Sequence, residues 1–262
     1  MKRLMLAGVL AFAISAPAHA DVTIKSTGTG KGLGMSGTTT STTYIKGLKM
    51  RAETVMGSKT HTTIFDVENQ KMYVFDSKKK EAEVWDMAAF SQELASAISL
   101  EGMRTSIKPN GQTKSIAGQN TDGYDMEIVV PATVGGAGGM KITMVLTGTT
   151  WIAKGAPGTE DYAAFYKGAA EKGWIFTDPR AAKGSPGQAK AMAEMYREFA
   201  QIGGVPYESQ TDIKSQGEGM MGSLMARMGG MSTTTTTESV DTAPLTDDLF
   251  QPPAEYELKQ RQ

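Results

Sequence analysis

The chain has 262 residues, with 27 Lys and Arg against 28 Asp and Glu and no cysteine. A net charge of −1 gives no electrostatic pull toward phosphate, which excludes partners held mainly by charge, nucleic acid above all. Without cysteine there is no disulfide framework and no thiolate for metal binding or catalysis, so an ordinary apolar core must carry the fold.

The first twenty residues have the order of a secretion signal. Lys2 and Arg3 precede an apolar run from Leu4 to Ile14, and Ala18-His19-Ala20 offers small residues at a cleavage site. The apolar run is too short to span a bilayer, and no later stretch reaches that length. Residue 21 is Asp, so no lipid anchor is expected at the cut. The expected product is a periplasmic or secreted protein with no transmembrane anchor, forming one domain over 21–262 with a Met/Gly/Thr-rich insertion near 217–237.

Val22 and Ile24 alternate with polar residues and predict an opening strand, followed by a bulged Gly-rich stretch. In that stretch Lys31 is followed by Gly32 and position 33 is Leu, so neither a phosphate loop nor a dinucleotide fingerprint is formed. From Thr42 to Asp86, short β-branched, aromatic and Met-containing runs alternate with polar breaks, predicting an antiparallel meander. Two-residue loops at Gly47-Leu48 and Gly57-Ser58 set Ile45 opposite Met50 and Met50 opposite Phe65. Four-residue connections at Val67–Gln70 and Ser77–Lys80 set Phe65 beside Met72 and Met72 beside Trp85. Alternation then collects Ile45, Met50, Phe65, Met72, Val74 and Trp85 on one apolar face, with Tyr44, Arg51, Glu53, Ile64, Tyr73, Phe75 and Val84 on the other.

Past Asp86 the period becomes helical: Met87, Phe90, Leu94 and Ile98 share a side, and Asp86 is placed to cap the first amides. Strands are expected again at Thr105–Lys108 and Gln112–Ile116, around a turn at Pro109-Asn110-Gly111, with another turn over Gly118–Gly123. Tyr124, Met126, Ile128 and Val130 form one alternating row and Ile142, Met144 and Leu146 another, with a kink expected at Gly148. A helix capped by Thr159 carries Tyr162, Phe165, Tyr166 and Ala169. A second, capped by Ser185 with Pro186 first, carries Met192, Met195, Tyr196 and Phe199. Trp174 to Phe176 between them is expected as exposed or lid-like apolar surface. Val205–Lys214 and a Thr-rich segment after the Met-rich tract are expected strands, and Phe250 and Tyr256 are expected to pin the tail.

Catalytic signals are weak. His61 is the only histidine beyond the leader, there is no nucleophile elbow, and the pairs Glu81/Glu83 and Glu160/Asp161 sit where solvated faces or helix starts are expected. No enzyme activity and no cofactor are expected. Met221, Met225 and Met228 are thioethers suited to Cu(I), although a pliable Met-rich lid explains the same residues.

The phrases YIKGLKMRAE, TIFDVENQKMYVFDSKKKE and DDLFQPPAEYEL resemble exported bacterial proteins of a domain of unknown function in the LolA/LolB-like group. That resemblance implies an α+β, mostly β fold: an incomplete antiparallel β-barrel with amphipathic helices closing the hollow, where lipoprotein carriers hold acyl chains. Read on this chain, Ile45, Met50, Phe65, Met72, Val74, Phe90, Leu94, Met126, Ile128, Met144 and Leu146 are the expected lining for a hydrophobic small molecule or acyl chain. The other reading is a structural or interaction module of the cell envelope with a filled core, whose Thr-rich strands offer an edge to an envelope protein.

Overall fold

Four hairpin connections fix the register of the first half of the sheet. Gly47 and Gly57 have φ of 56° and 60°, which a two-residue hairpin loop requires at its first central position. Ile45 pairs with Met50, Met50 with Phe65, Phe65 with Met72, and Met72 with Trp85, as expected. The two longer connections begin at aspartates that bond their own turn amides: Asp66 accepts from Asn69 N at 3.0 Å, and Asp76 from Lys78 N and Lys79 N at 3.1 and 3.2 Å. Those bonds, that of Lys79 foremost, hold Asp76 below the usual carboxylate range.

The computed structural model describes residues 21–32, 35–96, 102–134, 140–184, 186–217 and 230–261. The strands are β1 (Val22–Gly32), β2 (Met35–Lys46), β3 (Lys49–Met56), β4 (Lys59–Asp66), β5 (Lys71–Asp76), β6 (Glu81–Asp86), β7 (Arg104–Ile116), β8 (Gln119–Val134), β9 (Met140–Ala153), β10 (Val205–Gly217), β11 (Met231–Asp241) and β12 (Glu257–Arg261). The helices are α1 (Met87–Ser96), α2 (Thr159–Glu171), α3 (Pro179–Gly184) and α4 (Pro186–Ile202). All strands join one open sheet in the order β12-β6-β5-β4-β3-β2-β1-β11-β10-β9-β8-β7. The sheet is mostly antiparallel and does not close, which agrees with an incomplete barrel. Among the described residues, no helix is long and apolar enough to cross a membrane. The leader, the copper candidates Met221, Met225 and Met228, Ile98 and the cap Ser185 lie outside the described residues.

The helices begin and stop for local reasons. Asp86 accepts from Ala89 N at 3.0 Å, the expected cap of α1. At α2 the expectation fails: Gly158, at φ 70°, is the cap residue, and the Thr159 hydroxyl donates back to Ala156 O at 2.7 Å. A Cβ at residue 158 would stand 2.8 Å from Val22, so the close approach as well as the backbone angle selects glycine there. The α2 C-terminus closes with Gly173 N on Ala170 O and Trp174 N on Ala169 O. α3 was not anticipated, because six residues hold too little periodicity to be read.

The second half of the sheet departs from the sequence reading in three places. Pro109-Asn110-Gly111 is no reversal: β7 runs on through it, with Pro109 paired to Tyr124 and Thr113 to Asp122, so three residues bulge opposite Gly123. Gly111 at φ 75° and the Asn110 side chain, bonded to Asp125 at 2.9 Å, hold the bulge. The real reversal is at Ala117-Gly118, and Gly123 lies inside β8. Gly148 does not break the pairing of β9. A Cβ there would lie 1.9 Å from Gln210 O on β10, so glycine is required by strand contact.

The Thr-rich segments form the middle of the sheet, not an edge. Thr27 pairs with both Thr40 and Thr236, and Thr29 with both Thr38 and Thr234. The edges are β7 and β12. The tail expectation holds: Phe250 is buried, Tyr256 packs edge-on to Phe75 at 5.4 Å, and β12 then adds in parallel to β6. On its way the tail crosses the outer face of the meander, where Lys46 bonds Leu245 O at 2.7 Å and Arg51 bonds Leu249 O at 3.1 Å. This strap is why Ile64, Phe75 and Ala82 on the mixed face are also buried.

Replacing Gly148 by Val is expected to lower stability by about 1–3 kcal/mol in urea unfolding, through overpacking against β10. Gly37→Ala, where the new atom meets nothing within 4 Å, should stay within about 0.5 kcal/mol of wild type.

Candidate functional site

The helices cover one face of the sheet in two patches. Over the meander, α1, α2 and the segment after α2 bury Ile45, Met50, Phe65, Met72, Val74, Trp85, Phe90 and Leu94. Over the other wing, α4 buries Met126, Ile128, Val130 and Leu146. The residues expected to line a hollow therefore divide between two cores. All of them are buried except Met144, which is half-buried. They are brought together as packing surfaces under helices.

Trp174 and Ile175 are a correction: each is 3% exposed, and neither forms a lid. The Schellman-type turn that ends α2 drops both side chains into the first core, where burial of each large apolar side chain is worth about 1.5–3 kcal/mol.

Between the two cores runs a seam that the sequence reading did not nominate as a site. Tyr162 and Tyr166 on α2, Phe176 just beyond it, and Met192, Tyr196 and Phe199 on α4 are half-buried apolar residues packed on one core or the other. The rings of Tyr162, Tyr166, Phe176 and Tyr196 form a continuous cluster centred on Tyr166, which lies 4.7 Å from Tyr162, 5.2 Å from Phe176 and 5.5 Å from Tyr196. Phe176 carries the chain of contacts to Phe65 at 5.7 Å, so the seam is anchored in the meander's core. The signal was present in the two helical stripes, each of which holds tyrosine among Phe and Met. Which stripe met which could not be read.

Electrostatics in the seam are those of burial without fixed charge. Desolvation raises Tyr162, Tyr166 and Tyr196 above the ordinary phenol value of 10.0, and the nearby phenols add to the effect on Tyr166. The Tyr166 hydroxyl also lies 3.8 Å from the Met50 sulfur. At one end the ionic groups form a separate rim. Arg180 pairs with Asp178 at 2.6 Å and with Glu83 at 3.7 Å, and Arg261 of β12 reaches Glu83 at 2.7 Å. Partial burial opposes ionisation of Asp178, but the Arg180 hydrogen bonds hold it below the usual carboxylate range.

His61 is exposed on β4, with Thr63 Oγ1 3.2 Å from its Nε2. Among the described residues no group of three His, Cys, Asp or Glu is arranged to hold a metal ion. Two surface clefts lie away from the seam. One of about 350 Å³ is bounded by Lys31, Asp212, Lys214 and Met231, and one of about 420 Å³ by Lys114, Asn120 and Asp122 at the β7–β8 turn.

No family model and no curated protein matches the chain. It is similar to several solved structures. One is PNGF-II, 12% identical with a TM-score of 0.37; the match covers 92% of this chain, which spans only 31% of that one. A LolA superfamily protein from Nitrosomonas europaea is 9% identical at a TM-score of 0.30, over 89% of this chain and 91% of that one. A DUF1329 family protein from Desulfovibrio piger is 8% identical at 0.28, over 90% and 91%. The fold is defined by this chain's own strand pairings.

The raised phenols set an alkaline limit on stability. A protonated tyrosine is neutral, and between its ordinary and its folded value the unfolded chain releases a proton that the native chain keeps. Stability is therefore fully present below about pH 10 and falls as pH rises further. Urea unfolding followed upward from about pH 9 should show that fall, and Tyr196→Phe should make it shallower.

Proposed function

We propose that the protein is a non-enzymatic binding or carrier protein of the periplasm for a lipidic or other hydrophobic ligand. One observation carries the reading: the half-buried aromatic and Met side chains that line the seam between the two cores. A fully packed interior gives its large apolar residues no exposure, whereas a site for an apolar chain keeps a lining that solvent can partly reach. α2 packs on the first core and α4 on both, through Ala189 on the first and Ala191 and Met195 on the second, so a shift of α4 relative to α2 would open the seam without breaking a strand pair. The signal-like order of the first twenty residues supports the compartment.

The second reading, an interaction module with a filled core, is favoured by the burial of nearly all the residues first expected to line the hollow. In that case an envelope protein would meet an edge strand, β7 or β12, because the Thr-rich strands are paired on both sides.

Native mass spectrometry of the protein purified from its own periplasm separates the two. Bound species with the masses of acyl lipids, released by organic extraction, are expected for the carrier. A single unliganded mass, together with no uptake of a fluorescent fatty acid, would exclude it and leave the module.

A further inference from the structure

Asn110-Gly111 is the only Asn-Gly dipeptide in the sequence. It sits in the bulge of an edge strand, with Asn110 half-buried and Gly111 and Gln112 exposed. In such a pair the amide nitrogen of the second residue can attack the side-chain carbon of the first. The bond from Gly111 N to Asn110 Cγ forms, the Cγ–Nδ2 bond breaks, and Nδ2 leaves as ammonia with the proton that Gly111 N gives up. Water then opens the cyclic imide at either carbonyl, giving aspartate or isoaspartate without oxidant or reductant. Glycine leaves its own nitrogen unshielded, and the φ of 75° at residue 111 favours glycine there in any case.

The fold holds the amide back from that reaction. Asn110 Nδ2 donates to Asp125 at 2.9 Å and Oδ1 accepts from Gln112 N at 3.0 Å, so both ends of the side chain are tied. Asp125 also accepts from Thr149 Oγ1 at 2.9 Å, and the two donors, Asn110 first, hold its carboxyl below the usual range and therefore ionised. The Asn110 side chain lies over Gly123, where a Cβ would stand 2.5 Å from Oδ1. The second dipeptide open to ring closure, Asp122-Gly123, lies inside β8, where Asp122 is paired to Thr113 on one side and Ile152 on the other.

Conversion reverses the sign of the contact. An acid at residue 110 has no N–H to give Asp125 and sets one carboxylate against another, while isoaspartate adds a methylene to the backbone of the bulge. We propose that Asn110 is a deamidation site latched by Asp125, which converts when the bulge opens and whose product cannot close it again. β7 carries Ile107 onto the second core, so the loosening reaches the packing under α4 as well as the edge of the sheet.

The test is to age the protein in mildly alkaline buffer beside a synthetic peptide of residues 105–114, following the amide-to-acid mass gain in the matching tryptic fragment. Wild type is expected to convert at residue 110 about tenfold more slowly than the peptide, and Asp125→Ala, which removes one charge-assisted hydrogen bond, to erase most of that difference. Asp125→Asn keeps an acceptor and should fall between them. Thermal melts establish that the variants fold, and the comparison of wild type with peptide needs no variant. The deamidated protein, separated by its extra negative charge, should exchange the amides of 104–116 about tenfold faster than the unmodified protein, with β3 to β6 unchanged. Conversion of wild type at the peptide's rate, no conversion by the time the peptide has converted completely, an unchanged rate in folded Asp125→Ala, or equal exchange along β7 would each overturn the proposal.

Discussion

Alternation of side chains along strands, kept in step through four successive hairpins, is the constraint on which the rest depends. A slip of one residue at any connection would turn Met50, Phe65 or Met72 from the helix-covered face to the opposite one. Gly47 and Gly57 hold the two tight turns by adopting positive φ, and Asp66 and Asp76 hold the two longer ones by accepting their amides. Without that registration α1 and α2 would have no single apolar row to cover.

The middle of the sheet does the opposite work. β1, β2 and β11 carry Thr, Ser and Gly where the wings carry Ile, Met and Phe, and the threonines pair with one another across the strands. Threonine suits a pleated surface without demanding a deep apolar cover. The apolar interior forms two cores, the first running on past the meander through Val22, Ile24, Val205 and Tyr207, and the helices over them meet through rings that remain half-buried. An interface between two cores is a place where packing can yield while every backbone pair in the sheet survives.

The C-terminal strap makes the meander two-sided. It covers Ile64 and Phe75 with Tyr256, closes the β6 edge in parallel, and brings Arg261 to Glu83, itself tied to Arg180 of α3. One chain end therefore supports both faces of the wing on which α1 and α2 rest.

By itself the sequence determined many of the interactions that are local along the chain. Hairpin registers from Ile45 to Trp85, the Asp86 cap, the alternation from Tyr124 to Val130 and the Gly173 and Gly203 helix ends all follow from neighbours a few residues apart. Tertiary structure alone decided whatever depends on which distant segments touch. Asn110 became a bulge and not a turn because both flanks found the same partner strand. Gly148 is needed because Gln210 crosses it, and Trp174 is inside because α2 ends against the first core. The eleven residues first taken for a ligand lining show the same limit: alternation reports which face a side chain occupies, but not whether a helix will later press down on it. The phenol seam was equally out of reach, since Tyr166 and Tyr196 lie on separate helices and nothing in their local spacing says that their rings will stack.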